Sequence, residues 1–296
     1  MRNSILILFA FLFFFGCSRT QPPLRHVFKP SCKIYDMKQA RCIDEAELVR
    51  RLGAYRVVFV GDHHDSASMH RVLAKLIGDL SRSGRHVTLA NEWFTPEDDA
   101  LLARYAAGAF DGNFTEAVGW KKKAGYPFAS YAPIYAAVRK GGGSLYGINM
   151  SKRLQKAISD NNDTNISTAQ RRFAEGLDMN LTAHKAMLSP FFAHCHAEKR
   201  GESAEACTRR MYRVQVAWDS YMGKEAAKLA KTLGTRSDML IVFAGAMHLE
   251  YGLGINARFA RLSREPFVTI LPVPQGETHA DVGEADYLLF YPRDAQ

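Results

Sequence analysis

Val57-Val58-Phe59-Val60-Gly61-Asp62-His63-His64-Asp65 is the stretch that sets the architecture. Its four apolar residues run without polar alternation, which reads as a strand buried on both faces. A second stretch has the same design: Leu240-Ile241-Val242-Phe243-Ala244 runs into Gly245-Ala246-Met247-His248. Each strand thus ends in Gly-x-x-His, where glycine permits a tight turn and the histidine is expected over the sheet edge. Working outward, Val87 to Ala90 leads to Asn91-Glu92-Trp93, and Ser144 to Ile148 leads to Asn149. Phe267 to Leu271 and Tyr287 to Phe290 read as closing strands. Helical spacing over 44–52 and 66–83 alternates with these runs. The pattern predicts an α/β fold with a mostly parallel central sheet flanked by helices and joined by right-handed crossovers. From Lys152 to about Leu233 strand signals vanish, so residues 151–235 read as a helical insertion forming a second subdomain. The core is then 44–150 and 236–296.

In open parallel sheets ligands bind beyond the carboxyl ends of the strands. His64, Glu92 and His248 all follow strands there. Two imidazoles and a carboxylate converging at one edge can hold a divalent metal or shuttle a proton. As a hydrolase, the chain would use His64, Glu92 and His248, with Asp62 or Asp65 assisting. The alternative is that these groups cap helices and satisfy buried backbone.

Composition excludes several classes. With 296 residues, 47% hydrophobic and 23% charged, the chain is neither disordered, collagenous nor coiled coil. The net charge of +9 is spread along the sequence, and the only tight basic run is Lys121 to Lys123, so nucleic acid is not an expected partner. Arg2, the apolar run Ile5 to Phe15 and Gly16 read as a secretory signal over 1–16, too short to span as a helix. Cys17 directly after it resembles the lipobox cysteine of bacterial lipoproteins. That predicts lipid anchoring through Cys17 and, with Ser18 next, the outer membrane of a Gram-negative cell. Residues 17–43 read as a tether with a local disulfide. In an oxidising compartment the local spacing pairs Cys32 with Cys42 and Cys195 with Cys207. A zinc site at His194-Cys195-His196 with Cys207 would need thiolates that such a compartment removes.

Together these pieces resemble the ChaN family of haem-binding lipoproteins, within the Tiki/TraB/erythromycin-esterase-like superfamily. The likeness is carried by Val58 to Asp65 with His70, Glu92, Tyr131-Ala132-Pro133-Ile134, Gly147-Ile148-Asn149, Gln215 with Trp218-Asp219 and Met222, Val242 to His248, and Gly252 to Ile255. Asp62 stands where the family commonly has Glu. The resemblance implies haem binding linked to iron acquisition, and in some superfamily relatives metal-dependent hydrolysis at the positions matching His64, Glu92 and His248.

A haem site needs an iron ligand, apolar faces for the macrocycle and cations for its propionates. The insert is rich in Met179, His184, Met187, Phe191, Phe192, His194, Met211 and Trp218, with Arg209, Arg210 and Arg213 nearby. The axial candidates are Tyr212 and Tyr221, with Tyr126, Tyr131 and Tyr135 from before the third strand; His184, His194 and His196 are the alternatives. Met211 and Arg209 are expected to contact the ligand. The reading is a lipid-anchored protein that captures and relays haem, its partners being haem, an outer-membrane haem or siderophore receptor and a haem-bridged second copy. A metal-dependent hydrolase and a receptor adaptor without either ligand are the rivals.

Overall fold

A computed structural model describes residues 25–29, 31–192 and 195–294. The signal segment 1–16, Cys17 and His194 lie outside the described residues.

Among the described residues there are ten strands: β1 (Arg25–Val27), β2 (Ile34–Asp36), β3 (Arg41–Ile43), β4 (Val57–Asp62), β5 (His86–Asn91), β6 (Ser144–Gly147), β7 (Asp238–Gly245), β8 (Phe267–Pro274), β9 (His279–Asp281) and β10 (Tyr287–Tyr291). The helices of the first half are α1 (Glu45–Leu52), α2 (Ala67–Arg82), α3 (Asp99–Ala106), α4 (Phe114–Ala117), α5 (Trp120–Lys123) and α6 (Phe128–Lys140). Those of the second are α7 (Lys152–Asp160), α8 (Thr168–Glu175), α9 (Thr182–Phe192), α10 (Ala204–Thr232) and α11 (Ile255–Ala260).

The main sheet has eight strands in the order β3-β2-β10-β8-β4-β7-β5-β6. From β10 to β6 every neighbouring pair is parallel, while β2 pairs antiparallel with both β10 and β3. The expected mostly parallel sheet flanked by helices is present. β4 and β7 show why their sequences are unbroken apolar runs. Val58, Val60, Ile241 and Phe243 face one core with α2 and α6, whereas Val57, Phe59, Leu240 and Val242 face another with α10 and α11. Period-two alternation therefore distributes residues between two apolar sides rather than between core and water.

The segment 17–43, read from sequence as a tether, contributes β2 and β3 to the sheet edge. Ile34, Tyr35 and Asp36 are all buried there, so a three-residue strand is held by pairing and burial rather than by any periodic signal. Cys32 and Cys42 close the hairpin as a disulfide, and Cys195 and Cys207 join the α9–α10 connection to α10. Between Lys152 and Thr232 the described residues hold helices and no strand. α10 does not stop at the insert. Its first half packs Val214 and Ala217 against α7, and Tyr212 and Val216 against α9. Its second half lays Met222, Ala226, Ala227 and Ala230 on the sheet. Among the described residues no helix is long and apolar enough to cross a membrane.

Candidate functional site

The carboxyl ends of β4, β5 and β7 lie side by side, with Asp62 in register with Gly245 and Asn91 with Phe243. That brings His64, Glu92 and His248 to one edge. The glycines of the two Gly-x-x-His motifs do a different job from the one expected. Neither Gly61 nor Gly245 has positive φ. A Cβ on Gly61 would lie 2.8 Å from the Pro272 side chain, and one on Gly245 would lie 3.2 Å from the His64 ring. They serve close approach, letting β4 run against β8 and the His64 imidazole rest on the end of β7.

Glu92 is the centre. Its Oε1 accepts from the Gly245 amide at 3.0 Å and lies 3.5 Å from His64 Nε2, while its Oε2 lies 3.8 Å from His248 Nε2. Each of these imidazoles is oriented from behind. His64 Nδ1 donates to Asp62 Oδ2 at 2.8 Å, and His248 Nδ1 donates to Asp219 Oδ1 at 2.6 Å, with the Gln215 amide also 2.9 Å from that nitrogen. A proton fixed on Nδ1 leaves the Nε2 lone pair of each ring facing Glu92.

Each carboxylate is backed in turn. Asp62 Oδ1 accepts from His70 Nε2 at 2.8 Å, and Tyr131 donates its hydroxyl to Oδ2 at 2.9 Å. His70 is wholly buried, takes a hydrogen bond from Ser130 on Nδ1 and lies tilted against Tyr131 with ring centres 4.0 Å apart. Behind Asp219, His184 Nε2 lies 3.0 Å from Oδ2, and Arg258 donates to His184 Nδ1 at 3.2 Å.

Electrostatics follow from this layout. Burial alone would raise the Asp62 pKa, but hydrogen bonds from His64 and His70 overcome it and hold the carboxyl below its ordinary range. Asp219 is lowered in the same way, burial being outweighed by His248 and His184. Burial works to lower His64 and His248, yet Asp62 and Glu92 raise the first and Asp219 and Glu92 raise the second. Glu92 is raised by burial, against the pull of both imidazoles. The result is a dry carboxyl of raised proton affinity between two imidazoles of raised basicity.

The donor chemistry fits a borderline divalent cation such as zinc, which takes imidazole nitrogen and carboxylate oxygen. Donor atoms of Asp62, His64 and Glu92 all lie within 4.8 Å of one another. Both Asp62 oxygens, however, already accept from His64, His70 and Tyr131. Asp62 therefore orients His64, and the set with free lone pairs is His64, Glu92 and His248.

Above this edge lies a cleft of about 760 Å³, whose lining includes the apolar Trp93, Met150, Trp218, Met222 and Met247, the cations Lys122, Lys123, Lys152 and Arg153, and the carboxylates Glu97 and Asp98. Its size is that of a site for an organic ligand. The Trp93 indole N–H is buried and has no acceptor among the described residues, a deficit worth about 1–3 kcal/mol.

The other residues singled out from sequence are placed elsewhere. Tyr131 is fully buried with its hydroxyl on Asp62, and Tyr135 is buried with its hydroxyl accepting from Asn91. Tyr212 is buried and donates to the Leu181 carbonyl at 3.2 Å. His184 is buried behind Asp219. None of these four lines the cleft. In this structure the polar atoms of all four are engaged within the protein, on Asp62, Asn91, the Leu181 carbonyl and the Asp219–Arg258 pair. Tyr221 is half-buried against Phe173, with its hydroxyl pKa pushed up to about 12, chiefly by burial. Tyr126 is half-buried with its ring 5.5 Å from that of His64. Arg209 is exposed and paired with Glu205 at 3.0 Å, on a second groove of about 560 Å³ that Tyr212, Met179 and Arg213 also line. Met211 is half-buried against Leu188 and Tyr212, and His196 is exposed beside Glu198. Asp65 is exposed. Sequence reasoning quoted Gln215 and Asp219 only as part of the family likeness and gave them no role at the site, and it missed Arg258, because a helical residue facing a strand-end histidine leaves no local signature of that contact.

A family described as "Haem-binding uptake, Tiki superfamily, ChaN" matches residues 48–259. Among solved structures, one described as "Cofacial heme binding to ChaN of Campylobacter jejuni" is 18% identical, with a TM-score of 0.63 over 88% of this chain and 96% of that one. The type III effector HopBA1 is 15% identical with a TM-score of 0.47, covering 84% of this chain and 94% of its own. An erythromycin esterase variant in its open conformation is 12% identical with a TM-score of 0.43, covering 85% of this chain and 77% of its own. No curated protein sequence matches the chain.

Proposed function

The chain belongs to the ChaN family of haem-binding uptake proteins in the Tiki superfamily, and from that premise we propose that it captures haem at the outer membrane, anchored through acylated Cys17, and hands it on for iron acquisition. The family match across 48–259 carries this reading. The cleft supports it with what a flat apolar dianion requires: indole and thioether side chains together with cations among its lining residues. The ChaN of Campylobacter jejuni is described as binding haem cofacially; a haem-bridged pair of copies of this chain is the matching assembly, and an outer-membrane haem or siderophore receptor its partner. No chemistry on the porphyrin is required of the chain. The test is to express the protein from Ser18 onward and titrate it with ferric haemin, following the Soret band and the mass in solution. A saturable shift with a rise toward the dimer is expected. An unchanged haemin spectrum overturns the reading.

A second reading is favoured by one observation, the convergence of His64 Nε2 and His248 Nε2 on the two oxygens of Glu92. On this reading His64, His248 and Glu92 hold a divalent metal, which would supply Lewis acidity and an activated water for ester or amide hydrolysis. Asp62 and Asp219 hold the two rings in the tautomer that offers Nε2. Metal analysis of the purified protein should return about one zinc or manganese per chain, lost in His64→Ala and in Glu92→Gln; a metal content near zero in unchelated protein sinks it.

A further inference from the structure

The two-stranded ribbon of β1 and β9 lies outside the main sheet and away from the residues of the cleft. In this antiparallel pair Val27 is opposite His279 and Arg25 opposite Asp281, so these four side chains share one face. His26 and Ala280 take the other face: the His26 ring meets that of Tyr35 at 5.6 Å, and Ala280 packs against the core beside α10 and α11. The ribbon is thus seated by one face and presents the other. On the presented face Arg25 answers Asp281 at 2.9 Å, which leaves no unpaired carboxylate beside Val27.

Among the described residues five large apolar side chains are exposed: Val27, Phe191, Tyr251, Leu262 and Val282. Three of them meet at this ribbon. Val27 is 68% exposed on the outer face, Val282 is 49% exposed at the turn directly after β9, and Tyr251, 38% exposed, donates its hydroxyl to Asp281 at 3.0 Å. Tyr251 has a φ of 54°, a left-handed backbone that a bulky residue rarely adopts, and its amide donates to the Glu284 carbonyl at 2.9 Å. Its ring is therefore fixed at the surface. Such residues scattered singly carry no meaning. Gathered, they make an apolar corner that includes a tyrosine, the kind of side chain enriched where protein meets the membrane–water interface.

Chain length identifies what covers this corner. Cys17 stands eight residues before Arg25, where β1 begins. Fully extended, eight residues reach at most about 29 Å, so an acylated Cys17 keeps the ribbon within that distance of the lipid. At the high local concentration such a tether imposes, a shallow contact suffices.

We propose that the outer face of the β1–β9 ribbon, with Val27, Val282 and Tyr251, docks on the bilayer surface beside the anchor. This rests on the acylation of Cys17 proposed above and deepens it by assigning the face turned to lipid. His279 and Ala280 of β9 share a crevice with Leu271 to Pro274 at the carboxyl end of β8, the end of the sheet that carries the cleft. Docking therefore holds the cleft close to the membrane.

The test uses the full-length chain purified from membranes, with the mass of the Cys17 peptide reading the anchor, reconstituted into phosphatidylethanolamine–phosphatidylglycerol vesicles. The chain from Ser18 onward is the lipid-free reference. Brief hydroxyl-radical exposure and peptide mass analysis give an oxidation rate for each exposed residue. Relative to Phe191 and Leu262, the expected result is that Val27, Val282 and Tyr251 oxidise at least threefold more slowly on vesicles than in solution. In Val27→Asp/Val282→Asp, with circular dichroism equal to that of the wild type, Tyr251 should regain its solution rate. Equal rates in the two settings, protection of Phe191 or Leu262 instead, or a Tyr251 still protected in the variant overturns the docking face while an acylated Cys17 leaves the anchor standing. An unacylated Cys17 overturns the anchoring reading and the docking with it.

Discussion

The two imidazoles over Glu92 are held by the same device built from different parts of the chain. On the His64 side, strand end, loop and following helix supply Asp62, His64 and His70 within nine residues, and α6 adds Tyr131 and Ser130. On the His248 side the supports come from three separate helices: His184 from α9, Asp219 and Gln215 from α10, Arg258 from α11. The first arm is a property of the core; the second exists only when the insert is docked. The difference teaches that one half of this centre is fixed by local chain geometry, and the other half reports the position of the insert.

Substitutions can break that comparison. The largest effect is expected for Asp62→Ala, which leaves His64 Nδ1, His70 Nε2 and the Tyr131 hydroxyl without their acceptor in a dry site. A loss of about 3–5 kcal/mol in urea unfolding is expected. Next, replacing Cys195 and Cys207 by serine opens a loop of twelve residues at the far end of the insert and should cost about 3 kcal/mol. Hydrogen exchange should speed up in α9 and the first half of α10, with the amides of β4 unchanged. Asp219→Ala should cost less than Asp62→Ala, about 2 kcal/mol, because the His248 ring can move its proton to Nε2 and accept at Nδ1 from the Gln215 amide, while His184 keeps Arg258. Equal losses at the two aspartates would mean that the arms are energetically one unit.

The smallest effect is a matter of pH. Asp62 and Asp219 have lowered pKa values, so their contribution is present above the ordinary 3.8 and is lost as acid protonates the folded carboxyls. His64 and His248 have raised values, so theirs is present below 6.5 and is lost as pH rises through the folded values. Metal-free protein should therefore be most stable between about pH 4 and 6.5 and weaken on the alkaline side. His64→Gln and His248→Gln should each flatten that alkaline limb; an unchanged slope in both would show that neither ring gains a proton on folding.

The sheet from β4 to β10 was legible because burial on both faces turns strands into unbroken apolar runs, which sequence displays directly. β2 and β3 were not, since three residues carry no period, and Ile34 to Asp36 owe their strand to β10 across the whole length of the chain. At the site, His64, Glu92 and His248 were legible because parallel topology puts the residue after each strand in one place. Asp219 was visible only as part of the family likeness, and its role was hidden: along α10 its periodicity marks only an inward face, and which histidine that face meets is decided by tertiary packing. The same blindness made Tyr131 and Tyr212 attractive as iron ligands. Their hydroxyls are spent on Asp62 and on a backbone carbonyl, a fact that belongs to the fold and not to the residue type.

The pairing of β2 with β10 has a consequence for how the chain is made. Residues 34–36 pair early with 41–43 but find their second partner only at 287–289, after every other strand of the main sheet has been synthesised. During vectorial synthesis the leading hairpin must wait, with one edge open, for the trailing end. Closure of this edge is thus a completion check: a product truncated before Tyr287 would keep β4 and β7 yet leave its first strands without a seat, and so expose itself to quality-control proteases.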